Sequence, residues 1–178
     1  MSMTLIEHYE VPSGGITNFT FSSIPQTYTD LYCVFSLRST LLGGFADIGF
    51  RLNGATTNYS GRALRTRSNI LSSVNAAGTY IVCYEASGDT ATSNAFGNGS
   101  LYISNYTSSN AKSISAEGYS GNNSASDLQG GIVSGLWDDS AAVTSLTIID
   151  ANGEDFMQYS SFTLYGITAG SDGTTTVS

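Results

Sequence analysis

The chain has 178 residues and a formal charge of −8, with six Lys and Arg against fourteen Asp and Glu. One lysine, Lys112, and five arginines cannot supply the dense positive surface that phosphate-backbone binding needs, so nucleic acid is excluded as a partner class. Charged residues make up only 11% and polarity comes from Ser, Thr, Asn and Gly, which favour turns and β-surfaces over helices.

Met1–Glu10 has no basic start and no apolar run, so neither a signal peptide nor a membrane anchor is expected, and folding in the cytosol of the cell that makes the protein is. His8, the single histidine, lies in a strand-like Leu-Ile-Glu-His-Tyr-Glu segment and reads as an edge-strand surface residue. Pro25 presets φ in Ser23-Ile-Pro-Gln-Thr-Tyr-Thr-Asp-Leu31 and removes a ladder donor, ending one strand before Leu31 opens the next. In Leu31–Arg38 the alternation places Leu31, Cys33, Phe35 and Leu37 on one face. Arg38 falls on the other, available to a surface carboxylate or a neighbouring subunit. Ile48, Phe50 and Leu52 repeat the pattern, and Asn53-Gly54 signals a tight turn.

Arg51, Arg62, Arg65 and Arg67 cluster within one stretch, read as a strand edge protected by charge rather than an anion-binding strip. The ragged spacing of Arg62–Ala77 allows a short helical turn. Thr79–Tyr84 is apolar on both faces, as a central sandwiched strand would be. Further strands are expected at Leu101–Ile103, Ile114–Glu117, Ile132–Trp137 and Ser145–Ile149. Asn152-Gly153 then suggests a hairpin, with Thr144–Ile149 pairing against Phe156–Leu164. Phe162–Ile167 is the last core strand, with Gly166 allowing a bend or close approach.

The sum is an all-β, single-domain antiparallel β-sandwich, a jelly roll of about nine or ten strands over residues 1–168. Immunoglobulin-like topology is the rival, but Trp137 follows both cysteines. The low-complexity tail 169–178 is expected to be ordered only by a partner.

Chemistry is scarce. A Ser–His–acid triad would have to be built around His8, and no nucleophile elbow or phosphate loop occurs. Carboxylates such as Asp30, Asp47, Glu85, Glu117 and Asp150 are numerous, but no two stand out as a glycosidase pair. Asp138-Asp139 and Asp150–Asp155 offer oxygen ligands to calcium, yet the second segment reads better as a plain acidic hairpin. Cys33 and Cys83 sit in apolar contexts as small hydrophobes; whether they pair depends on geometry. Neither a cofactor nor a metal is expected. Tyr9, Tyr28, Tyr59, Tyr102, Tyr106, Tyr119 and Trp137 would line a sugar-stacking surface if several faced outward together.

The order Phe19-Thr-Phe-Ser-Ser-Ile-Pro-Gln-Thr-Tyr-Thr-Asp-Leu31, Ser36-Leu-Arg-Ser39, Phe50-Arg-Leu-Asn-Gly54, Asn58-Tyr-Ser60 and Phe162-Thr-Leu-Tyr-Gly-Ile167 resembles small virion proteins of tailed bacteriophages, marine cyanophages among them. The likeness is sharpest at the two ends and weak from about Gly61 to Asn94. It implies a jelly-roll-like virion component without enzymatic activity. The leading expectation is a capsid decoration (cement) protein, a homo-oligomer, guessed a trimer, bound to the major capsid protein or other virion subunits. The alternative is a tail-fibre or receptor-binding module that recognises cell-surface glycan.

Removal of Ala169–Ser178 is expected to weaken assembly, read by light scattering, while the monomer keeps its β-type circular dichroism. A truncated chain that fails to fold would place this tail in the core.

Overall fold

The computed structural model describes residues 2–67, 70–123 and 128–169, apart from the side chains at 84 and 85. Within them the chain forms twelve strands and no helix. They are β1 (Ser2–Glu10), β2 (Asn18–Phe21), β3 (Asp30–Leu37), β4 (Phe45–Leu52), β5 (Tyr59–Arg67), β6 (Ile70–Asn75), β7 (Ile81–Ser87), β8 (Gly97–Ile103), β9 (Lys112–Gly121), β10 (Leu128–Trp137), β11 (Leu146–Asp150) and β12 (Ser161–Thr168). Eight make one sheet in the order β1-β12-β3-β8-β9-β10-β5-β6, and four make the other in the order β2-β11-β4-β7.

The pairings are antiparallel and nested. β1 pairs β12, β2 pairs β11, β3 pairs β8 and β4 pairs β7, alternately in the large sheet and the small one. A chain folded back on itself and wound across two antiparallel sheets in this way makes a β-sandwich. Two inserted strand pairs, β5–β6 and β9–β10, continue the large sheet beyond β8.

Alternation explains which face turns inward. Leu31, Cys33, Phe35 and Leu37 of β3 are buried, as are Ile48, Phe50 and Leu52 of β4. Aromatic rings join the layers: Phe35 and Phe50 lie 5.7 Å apart, and Phe19 and Phe162 stack at 5.3 Å. Cys33 and Cys83 come from opposite sheets, are fully buried, and are not joined to each other. Burial pushes the Cys33 thiol up, so it packs as a neutral small hydrophobe. Gly166 admits the Tyr28 ring, since a Cβ there would stand 2.2 Å from Tyr28 Cδ2. The close approach is thus by a side chain.

Several expectations are corrected. The strand count exceeds nine or ten because the described residues of Arg62–Ala77 form no helical turn; they contribute most of the paired strands β5 and β6. Their inward positions include Ala63 and their outward ones are mixed, so apolar alternation is too faint to read. The Asn152-Gly153 turn exists, with Gly153 at φ 84°, but no hairpin follows it. β11 lies between β2 and β4, whereas β12 lies between β1 and β3 in the other sheet. Turn chemistry alone cannot tell a hairpin from a crossing between sheets. β7 is the edge of the small sheet, apolar because it packs on β9 and β10 as well as pairing with β4. The arginines do not guard an edge either: Arg51 is on β4 of the small sheet, and Arg62, Arg65 and Arg67 are on β5, one strand in from the edge strand β6.

Arg38 is the largest correction. It is 7% exposed, and its guanidinium donates to four backbone oxygens, those of Thr92, Ala95, Asp89 and Ala91, at 2.7–3.0 Å. The planar fork of donors gathers the 89–95 loop around one cation. Lys112 is also buried, donating to the carbonyl oxygens of Ser108, Asn110 and Asp139. Burial lowers its pKa, an effect partly opposed by the charge of Asp139. The tail expected to be partner-held lies, from residue 170 onward, outside the described residues.

Arg38→Met is expected to lower the unfolding free energy by about 3 kcal/mol or more, because carbonyls left unpaired each cost about 1–3 kcal/mol. Urea denaturation measures this, and Arg38→Lys is expected to recover only part, lacking the fork.

Candidate functional site

The outer face of the large sheet is the broad surface left uncovered by the small sheet. Strand register places its side chains in lateral rows. Tyr165 stands opposite Tyr32, Tyr32 opposite Tyr102, and Tyr102 opposite Ser115. The same row continues through Ser134 to Arg62. The next row runs from Val34 through Ser100, Glu117 and Ile132 to Leu64. Between β3 and β6 the face is hollowed into a groove of about 770 Å³, lined by Tyr32, Tyr102, Ser115, Glu117, Ile132 and Arg62 among others. A smaller hollow, about 630 Å³, adjoins it and shares Arg62 and Ser134.

The groove's side chains are held in place by their neighbours. Tyr102 donates its phenol to Asp30 Oδ2 at 2.7 Å, and Asp30 Oδ1 accepts the Asn105 N–H at 2.8 Å. Burial, reinforced by the Asp30 carboxylate, pushes the Tyr102 phenol up to about 12. Glu117 accepts from Ser100 Oγ and from the Tyr119 phenol, each at 3.3 Å. The Tyr119 ring lies across β10, where a Cβ on Gly130 would stand 2.5 Å from Tyr119 Cδ1.

Of the seven aromatic residues expected on a sugar surface, the structure brings two to this face, Tyr102 and Tyr119. Trp137 and Tyr106 are buried in the core. Tyr9 stacks on Phe19 at 4.3 Å, Tyr28 covers Gly166, and Tyr59 stacks on Trp137 while its phenol oxygen accepts the Leu52 N–H at 2.7 Å. Tyr32 and Tyr165 were missed. Both sit out of phase with a strongly apolar inner face, on Leu31–Leu37 and Phe162–Ile167, and that phase was the available signal.

The remaining candidates are dispersed. His8 is on edge strand β1, exposed, its Nδ1 hydrogen-bonded with Thr163 Oγ1 at 2.8 Å. Asp150 is 4% exposed; it accepts from Ser39 Oγ at 2.5 Å and from the Asn152 N–H at 2.7 Å, so both its oxygens are engaged. Asp47 pairs with Arg67 at 2.5 Å, and burial raises its pKa despite that neighbouring cation. Among the described residues no group of three or more His, Cys, Asp or Glu side chains could hold a metal ion. No helix among them is long and apolar enough to cross a membrane.

No protein-family model matches the chain, and no curated protein is similar to it.

Because the Tyr102 phenol has its pKa raised to about 12, its bond to Asp30 contributes fully below pH 10 and is lost as pH rises through 12. The stability difference between the wild type and Tyr102→Phe is therefore expected to be flat from about pH 7 to 9 and to shrink above about pH 10. Chemical denaturation of both proteins across that range measures it.

Proposed function

We propose that this chain is a non-enzymatic structural protein of a phage particle, a capsid decoration (cement) protein that binds the major capsid protein on the head shell. What carries the reading is the contrast between the two edges of the large sheet. Edge strands expose unpaired N–H and C=O groups, and monomeric proteins blunt them with charge, bulges or proline. β1 is blunted: it carries Glu7, His8 and Glu10 and a register shift between Leu5 and Glu7. β6, Ile70-Leu-Ser-Ser-Val-Asn75, has no charge, proline or bulge. Ile70 and Leu71, on opposite faces of the strand, are 69% and 72% exposed, and Leu128 on β10, on the same face as Leu71, is also exposed. An unguarded edge beside exposed apolar side chains suits attachment to another protein surface.

The resemblance to small phage virion proteins supplies the partner. Head shells offer symmetric, repeated attachment sites, which a homo-oligomer matches. A trimer is proposed by fold-level analogy. A second reading, a tail-fibre or receptor-binding module, is favoured by a different observation, the outward row of tyrosines.

Quantitative mass spectrometry of purified particles is expected to find hundreds of copies, on the head by immuno-electron microscopy. A few copies at the tail would favour the second reading, and turnover of a polysaccharide would sink both. The double variant Ile70→Asp, Leu71→Asp is expected to decorate at least tenfold more weakly with little change in thermal midpoint. Normal decoration by that variant would show that β6 is not the docking edge.

A further inference from the structure

We infer that the groove on the outer face of the large sheet is a binding site for a neutral oligosaccharide. This goes beyond the decoration reading and holds whether the protein sits on the head or the tail.

The argument starts from what lies side by side. Neighbouring strands are about 4.8 Å apart, so one lateral row presents a new side chain at about that interval. Starting at Tyr32, where the groove begins, the row presents two phenol rings, then two serine hydroxyls, then a guanidinium. Sugars have apolar C–H faces and a rim of hydroxyls that both donate and accept. A ring takes the first, and Ser115, Ser134, Glu117 and Arg62 answer the second.

Charge narrows the class. The groove holds one cation, Arg62, and one anion, Glu117, so its own charge cancels. The whole protein carries −8, and that field opposes a polyanionic glycan. A neutral chain of hydroxyls meets no such penalty. Glu117 retains acceptor capacity, because its two hydrogen bonds are long, at 3.3 Å each, and a carboxylate offers about four lone-pair sites.

Preorganisation is the second line of support. Tyr102 is fixed through Asp30, which is itself held by the Asn105 N–H, so its ring loses little freedom when a sugar stacks on it. The volume, about 770 Å³, lies within the range of small-ligand sites and exceeds what one monosaccharide fills. The apolar side chains at the far wall, Leu64 and Ile132, suit the less polar faces of a second sugar unit.

Titration calorimetry with neutral trisaccharides of glucose, galactose, mannose and N-acetylglucosamine, against heparan sulfate and polysialic acid as acidic contrasts, tests the inference. At least one neutral trisaccharide is expected to bind with a dissociation constant below about 1 mM, an affinity modest for a shallow site. Tyr102→Ala and Glu117→Gln are expected to weaken that binding at least tenfold, and Tyr102→Phe, which keeps the ring, by threefold or less. Glu117→Gln changes an exposed side chain, so the test survives if Tyr102→Ala misfolds. The Ile70→Asp, Leu71→Asp variant is expected to bind sugar normally, which separates this site from the decoration surface. Binding of acidic glycans only, no neutral binding in the panel, or groove variants that bind as wild type would overturn it. Capture of a capsid protein that Glu117→Gln abolishes would overturn it too, by assigning the groove to a protein.

Discussion

Arg38 and Ser39 stand where the two sheets meet, and most of the architecture depends on the hydrogen bonds they make. The Ser39 N–H donates to Ser87 at the end of β7, and Ser39 Oγ donates to Asp150 at the end of β11. The Arg38 N–H donates to Ser160 Oγ just before β12, and the Arg38 carbonyl accepts from Met157. The guanidinium meanwhile collects the loop that leads from β7 to β8. Arg38, Ser39, Ser87, Asp150 and Ser160 are all buried. Polar groups taken out of water cost free energy unless matched, and a shift of any one strand would leave several unmatched. The junction therefore holds strands of both sheets in a single arrangement.

From that junction the sheets diverge in width. Four strands cannot cover eight, and the strand pairs β9–β10 and β5–β6 carry the large sheet past the small one. β7 partly covers their inner side by packing on β9 and β10. Nothing among the described residues covers the outer side, where the tyrosine row, the groove and the exposed Leu71 and Leu128 lie. A cation held by backbone carbonyls, as Arg38 and Lys112 are, contributes to stability without adding surface charge. It leaves the outer face with few lysines and arginines, consistent with binding through hydroxyls, rings and apolar contact.

The strongly alternating segments were legible in the sequence. Leu31–Leu37, Ile48–Leu52 and Phe162–Ile167 announce themselves because one face is wholly apolar, and the structure buries the expected side chains. β5 and β6 were not legible, since a strand whose inward residues are as small as Ala63 leaves almost no hydrophobic period. The site was half legible. Tyr102 and Tyr119 were named among candidates of which Trp137 and Tyr106 proved to be core, because a tyrosine or tryptophan is chemically suited to either place. Tyr32 and Tyr165 could have been found by reading the polar phase of the best-defined strands.

What the amino-acid sequence by itself determined is the class of structure: strands, turns at Asn-Gly pairs, an apolar side to each strand and a surface nearly devoid of cations. These are local properties, set by residue type and by a period of two. Which strand lies beside which was decided only by the tertiary structure. Asn152-Gly153 turns the chain whether the next strand joins the same sheet or the opposite one. Arg38 has the same side chain whether solvent or four carbonyls surround it. The groove belongs to that second category. Tyr32, Tyr102, Ser115, Ser134 and Arg62 are scattered along more than a hundred residues, and only the register of five neighbouring strands makes them one row.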